Sequence, residues 1–160
     1  MNVFGERQHP EKFIPKCIIS ARDGLTVEIH SNKKKTRAGS RHYIHASDVA
    51  EACLFLIKNR NKIVKKIKKD YGGAKCPKFN LVGPIELDNL GLAKLIAKSV
   101  GKKMKYKMVD FHSSRPGHDL RYALDGTLMK KLGWVPKVSI EKRIDQVVNW
   151  TLKNKRWLKI

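Results

Sequence analysis

The residues best suited to chemistry lie in one stretch, residues 112 to 125, which reads HSSRPGHDLRYALD. Pro116 and Gly117 predict a turn, because proline restricts φ and glycine tolerates backbone conformations that other residues avoid. Arg115 and Arg121 flank this turn. A guanidinium can donate two parallel, charge-assisted hydrogen bonds to a phosphate or a carboxylate. We interpret the stretch as an anion-binding loop. A solvated basic turn agrees equally well with its chemistry.

Further cationic side chains are predicted on separate loops, and α/β proteins bind their ligands on loops at strand ends. These candidates are Lys12, Arg37, Arg41 and His118. If several of them converge with Arg115, they form a phosphate or diphosphate pocket. We expect no metal site, because the chain has no C-x-x-C pair and its histidines are scattered.

The bulk composition describes a basic globular protein. The chain has 160 residues, of which 41% are hydrophobic, enough for one domain with a core. No apolar run is long enough to cross a membrane. The three widely spaced cysteines indicate reduced thiols, so we expect a cytoplasmic location. The net charge of +21 attracts anionic small molecules or polyanions such as nucleic acid, although solvated lysine runs account for it as well.

Hydrophobic periodicity predicts strands that alternate with helices. The predicted strands cover residues 2–4, 26–30, 41–45, 79–82, 105–111 and 121–124. The predicted helices cover residues 10–22, 47–69, 90–100, 127–132 and 140–153, with caps at Ser47-Asp48, Asp88-Asn89 and Ser139. The alternation indicates an α/β or α+β fold with a small sheet. No G-x-G-x-x-G phosphate loop occurs anywhere in the chain.

Six motifs in a fixed order carry a resemblance to a known family. They are Asn2-Val3-Phe4-Gly5 (N-x-Y-G), Pro10 to Pro15 (P-E-K-L-I-P), Arg41 to Ala50 (R-x-x-x-x-V-x-D-V-A), Phe79 to Gly83 (Y-N-I-G), Arg115 to Tyr122 (R-P-G-H-D-x-R-Y), and Leu132-Gly133-Trp134 with the final Trp150 helix (L-G-W-x-P). The chain resembles the C-terminal half of the extended short-chain dehydrogenase/reductases that act on nucleotide sugars. Within them it is most similar to the dTDP-glucose or UDP-glucose 4,6-dehydratases, which are NAD-dependent lyases.

The resemblance implies a fold and a set of site residues. The fold is the substrate-binding part of a Rossmann-type α/β protein, with a small mixed sheet and packed helices. Residues 1–24 would end the NAD-binding core, and residues 25–160 would form the substrate subdomain. The implied substrate contacts are Asn2, Lys12, Phe13, His30, Arg41, Asn80, Arg115 and His118, with Arg41 and Arg115 on the diphosphate.

The resemblance also assigns the catalytic half to sequence that this chain does not contain. That half carries the glycine-rich NAD loop, the Y-x-x-x-K pair and the acid/base carboxylates. Glu6 stands where the family commonly has proline, and the loop from Ser31 to Ser40 is longer and more basic than usual. We therefore expect a nucleotide-sugar-binding half that is inactive unless a separate or upstream NAD-binding half is supplied. The alternative is a basic, non-catalytic module that binds nucleic acid or a partner protein.

Overall fold

A computed structural model describes residues 2–72, 77–110 and 119–158. Its strands are β1 (Asn2–Phe4), β2 (Thr26–Ser31), β3 (Ser40–His45), β4 (Glu86–Asp88), β5 (Lys105–Asp110) and β6 (Arg121–Tyr122). Its helices are α1 (Phe13–Asp23), α2 (Ala46–Lys58), α3 (Arg60–Tyr71), α4 (Asn89–Val100), α5 (Thr127–Lys131) and α6 (Ile140–Lys153), followed by a 3-10 turn at Lys155–Leu158. None of the described helices is long and apolar enough to span a bilayer.

The strands form a four-stranded mixed sheet and a two-stranded parallel one. In the larger sheet, β3 pairs in parallel with β1 and β6 and antiparallel with β4. In the smaller sheet, β2 pairs in parallel with β5 from Thr26↔Lys105 to Ser31↔Asp110. The expectation of an α/β fold with a small mixed sheet is thus confirmed.

Two hydrophobic clusters lie on opposite faces of β3. Side chains alternate along a strand, so Tyr43 joins the larger cluster and Ile44 joins the smaller one. The larger cluster is built from α1, α4 and α6, whose Ile18, Leu92 and Ile144 are fully buried. The smaller cluster contains Ala52, Met129 and Trp134.

Several predicted helix ends are confirmed. The Asp88 side chain accepts a hydrogen bond of 2.7 Å from the Gly91 amide and caps α4. The Ser139 hydroxyl accepts from the Lys142 amide at 3.4 Å and caps α6. At the end of α4, Gly101 has a φ of 76°, a left-handed conformation that suits glycine. Local sequence chemistry therefore sets these boundaries.

The predicted cap at Ser47-Asp48 is wrong. Helix α2 begins at Ala46, and the His45 side chain caps it by accepting from the Ser47 amide at 3.2 Å. Asp48 is buried instead and is paired with an arginine from α6. Burying a carboxylate without a charged partner costs much more free energy than leaving a helix with one cap. Tertiary packing brings an arginine to Asp48, so this carboxylate forms an ion pair and does not cap the helix.

The predicted strand at residues 79–82 is also wrong, because no described strand covers it. The edge of β3 is occupied at Ser40 to His42 by β4, which the sequence did not predict. Phe79 and Leu81 pack instead against the smaller cluster. The segment buries its apolar side chains without joining the sheet.

The long helix predicted through residue 69 is two helices, α2 and α3, which meet at Asn59. Its predicted apolar stripe is only partly buried. Ala52 is inaccessible, whereas Cys53 and Ile57 are exposed. In α3, Ile63 and Ile67 are buried as expected and Val64 is not.

Leu92→Ala should lower the free energy of unfolding by about 2–5 kcal/mol, because it leaves a cavity between α1, α4 and α6. Leu92 is 0% exposed, while Leu54 on α2 is 53% exposed. The matched control Leu54→Ala should therefore change stability by no more than about 0.5 kcal/mol. Urea denaturation followed by circular dichroism measures both. Equal losses in the two variants would contradict this packing.

Candidate functional site

A cavity of about 450 Å³ lies where the loop after β2 meets both sheets. Strands β3, β4, β5 and β6 and the start of α4 all contribute to its wall. The residues that line it include Thr36, Arg37, Ser40, Glu86, Met108 and Arg121. Pockets that hold small organic ligands have about this size, roughly 300–1,000 Å³.

Part of the cavity wall is an ion pair between Glu86 and Arg121 in which the carboxylate accepts three hydrogen bonds. The Arg121 guanidinium donates two hydrogen bonds to the Glu86 carboxylate, Nε to Oε1 at 2.7 Å and Nη2 to Oε2 at 2.8 Å. The Ser40 hydroxyl donates to the same carboxylate at 2.6 Å, and His42 Nε2 lies 3.9 Å away. Arg121 and Ser40 together lower the pKa of Glu86 to about 2. The carboxylate thus stays ionised and neutralises the charge of Arg121.

The loop after β2 also lines this cavity, through Thr36 and Arg37, and it is held by Asn32. The Asn32 Oδ1 accepts from the Thr36 amide at 2.8 Å and from the Arg37 amide at 3.0 Å, and the Asn32 amide donates to the Arg37 carbonyl at 2.9 Å. Lys35 completes the turn in the left-handed region with a φ of 56°. The basic loop predicted between Ser31 and Ser40 is confirmed, with those two residues as the ends of β2 and β3.

Arg41 does not reach into the cavity as a free cation. Its Nη1 donates to the carbonyls of Ser40 at 2.6 Å and Leu120 at 2.9 Å, and its Nη2 donates to the Asp119 carbonyl at 3.3 Å. Its Cζ also lies 4.3 Å from the centre of the Tyr122 ring, within cation–π range. The guanidinium therefore holds residues 119–122 against β3.

The other predicted substrate contacts are dispersed. Phe13 packs against the larger cluster, and Lys12 is exposed just before α1. Asn2 lies beside Tyr43 across β1 and β3, and His30 lies in β2. Asn80 uses its amide N–H on the Asp125 carbonyl at 3.0 Å. Arg115 and His118 lie outside the described residues, so their predicted roles stay predictions.

A buried polar network links the end of β1 to α6, and the sequence reasoning missed it. Arg143 donates to both oxygens of Asp48, at 2.5 Å and 3.3 Å, and to Gln146 Oε1 at 3.2 Å. Gln146 in turn donates to Glu6 at 2.8 Å. Glu6 Oε2 also lies 3.4 Å from His45 Nε2. The only feature of the sequence that pointed to this network was Glu6, which stands where the family commonly has proline.

Burial of His45 opposes the protonation of its ring. Its side chain is fully buried, and this burial lowers its pKa, although Glu6 acts in the opposite direction. The Nδ1 atom accepts from the Ser47 amide, so the ring proton lies on Nε2, facing Glu6. His45 is thus a structural residue that joins β3 to α2.

Comparison with known proteins assigns the family. The model of the NAD dependent epimerase/dehydratase family matches residues 1–71. The dTDP-glucose 4,6-dehydratase of Escherichia coli is 30% identical over 98% of this chain and 41% of its own length. The low-salt glycan biosynthesis protein Agl12 of Haloferax volcanii is 32% identical over 94% of this chain and 43% of its own length. The chain therefore spans about two fifths of the length of these relatives.

Solved structures agree with this assignment. A double mutant of DesIV, the dTDP-glucose 4,6-dehydratase of Streptomyces venezuelae, with NAD and DAU bound, superposes with a TM-score of 0.73 at 29% identity. This chain is covered to 99% and that chain to 44%. The UDP-glucose 4-epimerase of Thermus thermophilus, at 22% identity and a TM-score of 0.71, shares the fold. The predicted resemblance to the NAD-dependent epimerase/dehydratase family is therefore confirmed.

NAD does not fit the residues present here. Several structural neighbours are NAD complexes. A Rossmann-type site holds the pyrophosphate on a glycine-rich turn at a helix N-terminus. In this chain β1 is followed by Gly5-Glu6 and then a turn, and no G-x-G-x-x-G occurs in the sequence. Among the described residues, no group of three or more metal-ligating side chains is arranged to hold an ion.

Glu86 should make the fold sensitive to acid. Its pKa falls from about 4.5 to about 2 on folding, so the stability that it contributes is complete above pH 4.5 and is lost as the pH falls towards 2. The urea midpoint of the wild type should drop between pH 6 and pH 3 by more than that of Glu86→Gln. Glu141→Gln on the exposed side of α6 is the control and should follow the wild type. A parallel decline of wild type and Glu86→Gln would refute this pairing.

Proposed function

We propose that this chain is the substrate-binding part of an NAD-dependent nucleotide-sugar 4,6-dehydratase or epimerase. Its ligand would be a nucleotide-diphosphate sugar, and the reaction would be that of a cytoplasmic lyase of the dTDP- or UDP-glucose 4,6-dehydratase type. The observation that carries the proposal is a ligand-sized cavity with cationic groups in its wall, in a chain of this family. Several relatives and neighbours are named for dTDP-glucose or UDP-sugars.

The geometry supports binding and orientation. The cavity is lined both by charged groups and by the apolar side chains of Leu90 and Met108. A nucleotide has the same division, with an apolar base face at one end and phosphates at the other. The base would pack against Leu90 and Met108, while its phosphates would face the basic loop. Asn2, Lys12, Phe13, His30 and Asn80 are proposed to complete the substrate contacts as the family resemblance implies.

We propose that substrate binding and NAD binding belong to different parts of the enzyme, because this chain has no glycine-rich NAD loop. NAD would supply hydride transfer, and the residues present here do not form its site. We therefore propose that residues 1–24 border an NAD-binding half and that residues 25–160 form the substrate subdomain. A separate or attached NAD-binding half would complete the enzyme, and this chain by itself would bind without turnover.

One observation favours a second candidate, a basic module that binds nucleic acid. In the described part of the chain, none of the lysines forms an ion pair with a carboxylate. On α3, Lys62, Lys65 and Lys69 are spaced so that they share one exposed face. Such a surface would bind phosphate backbones with a steep dependence on salt.

Isothermal titration calorimetry of the purified chain against UDP-glucose, dTDP-glucose and NAD distinguishes these proposals. We expect binding of a nucleotide sugar, no binding of NAD and no conversion of sugar when NAD is added. Arg115→Ala should weaken the binding of the nucleotide sugar, because the resemblance places this residue on the diphosphate. Tight binding of NAD by the chain alone would overturn the proposed division.

A fluorescence anisotropy titration with a labelled oligonucleotide tests the second candidate, the nucleic-acid-binding module. If the chain binds the oligonucleotide tightly and saturating UDP-glucose does not compete, the second candidate is supported. If the oligonucleotide is displaced by UDP-glucose or binds only at low salt, the nucleotide-sugar proposal is retained.

A further inference from the structure

Two arginines lie within four residues of each other at the cavity, and the structure gives them different environments. Arg41 donates three hydrogen bonds to backbone carbonyls and stacks on Tyr122. Arg37 is exposed and lines the cavity. Its guanidinium makes no hydrogen bond or ion pair with any other described residue, and only its backbone amide and carbonyl are bonded, both to Asn32.

The backbone of Arg37 is nevertheless fixed. Its amide and its carbonyl are both bonded to Asn32, and the next residue, Ala38, bridges to Ser31. Ala38 is buried at 7% exposure and belongs to the larger hydrophobic cluster. A free guanidinium on a rigid loop is pre-organised for a ligand, because less conformational freedom is lost when it binds.

The other charges in the cavity wall are already engaged. Arg121 is neutralised by Glu86 in a bidentate pair. Asp88 accepts from the Gly91 amide at the start of α4, where the helix dipole offsets its negative charge. Arg37 is therefore the cation of this wall, within the described residues, whose charge has no partner. The exposed Lys33, Lys34 and Lys35 on the same loop add to the positive potential there.

We propose that Arg37 binds a phosphate of the nucleotide from the loop after β2, as a contact additional to those that the family resemblance assigns to Arg41 and Arg115. Arg41 also holds residues 119–122 on β3 through its bonds to their carbonyls. This inference rests on the proposed function, since it takes a nucleoside diphosphate as the ligand.

The test measures affinity and stability separately, with UDP and uridine as probes. Arg37→Gln should weaken the binding of UDP by roughly ten- to a hundredfold, because charged hydrogen bonds to a phosphate are lost. It should leave the weaker binding of uridine unchanged, since uridine has no phosphate. Arg37→Lys keeps the charge without the fork and should give an intermediate affinity. The urea midpoint of both variants should equal that of the wild type, because the side chain is exposed.

Two further variants serve as controls. Lys142→Gln removes one positive charge from an exposed position on α6 and should leave the affinity for UDP unchanged. Arg41→Gln should lower the urea midpoint, because the carbonyls of Asp119 and Leu120 lose their donors.

The outcomes separate the two proposals. If the wild type binds neither UDP nor, in the same assay, dTDP, the proposed function fails and this inference fails with it. If the wild type binds UDP and Arg37→Gln binds it equally well, the inference alone is overturned. It is also overturned if Lys142→Gln loses as much affinity as Arg37→Gln, because net charge would then explain the effect.

Discussion

The hydrogen bonding of β3 along both of its edges is the constraint on which the other features of this structure depend. β1 pairs with its second half, while β4 and β6 pair with its first half. Its two faces pack against different hydrophobic clusters through Tyr43 and Ile44. A shift of one residue would exchange these faces, so the register is strongly determined. The position of the cavity follows, since its wall includes Ser40 at the start of this strand.

Charged groups in this protein divide into two populations. The arginines at structural positions are paired: Arg143 with buried Asp48, and Arg121 with Glu86. A buried pair of this kind contributes little net stability, but the loss of one partner leaves an uncompensated charge, so it favours one arrangement of α2 and α6. The lysines of the described residues, by contrast, are exposed and form no ion pair with a carboxylate. The net charge of +21 therefore acts mainly as a field around the molecule, which attracts anions to it.

Similarity to the family does not mean that this chain contains all of the family's catalytic groups. The chain is covered almost entirely by its relatives, while it spans only 41% and 43% of the lengths of two of them. What it shares with its structural neighbours is the fold, with a TM-score of 0.73 to the dTDP-glucose 4,6-dehydratase of Streptomyces venezuelae. The roles of binding and orientation are therefore proposed from the cavity of this chain and not from the length of sequence that it shares.

The sequence by itself determined the local features: the amphipathic faces of α1 and α6, the caps at Asp88 and Ser139, and the ordered motifs of the family. These depend on residues close together in the chain. Only the tertiary structure decided the partners. Asp48 meets Arg143 across 95 residues, and Arg41 meets the Leu120 carbonyl across 79. A motif shows that an arginine is present, but which acceptor its guanidinium reaches depends on how distant segments pack. For this reason Arg37 and Arg41, although close in sequence, have different environments. For the same reason Arg121 pairs with Glu86, 35 residues away.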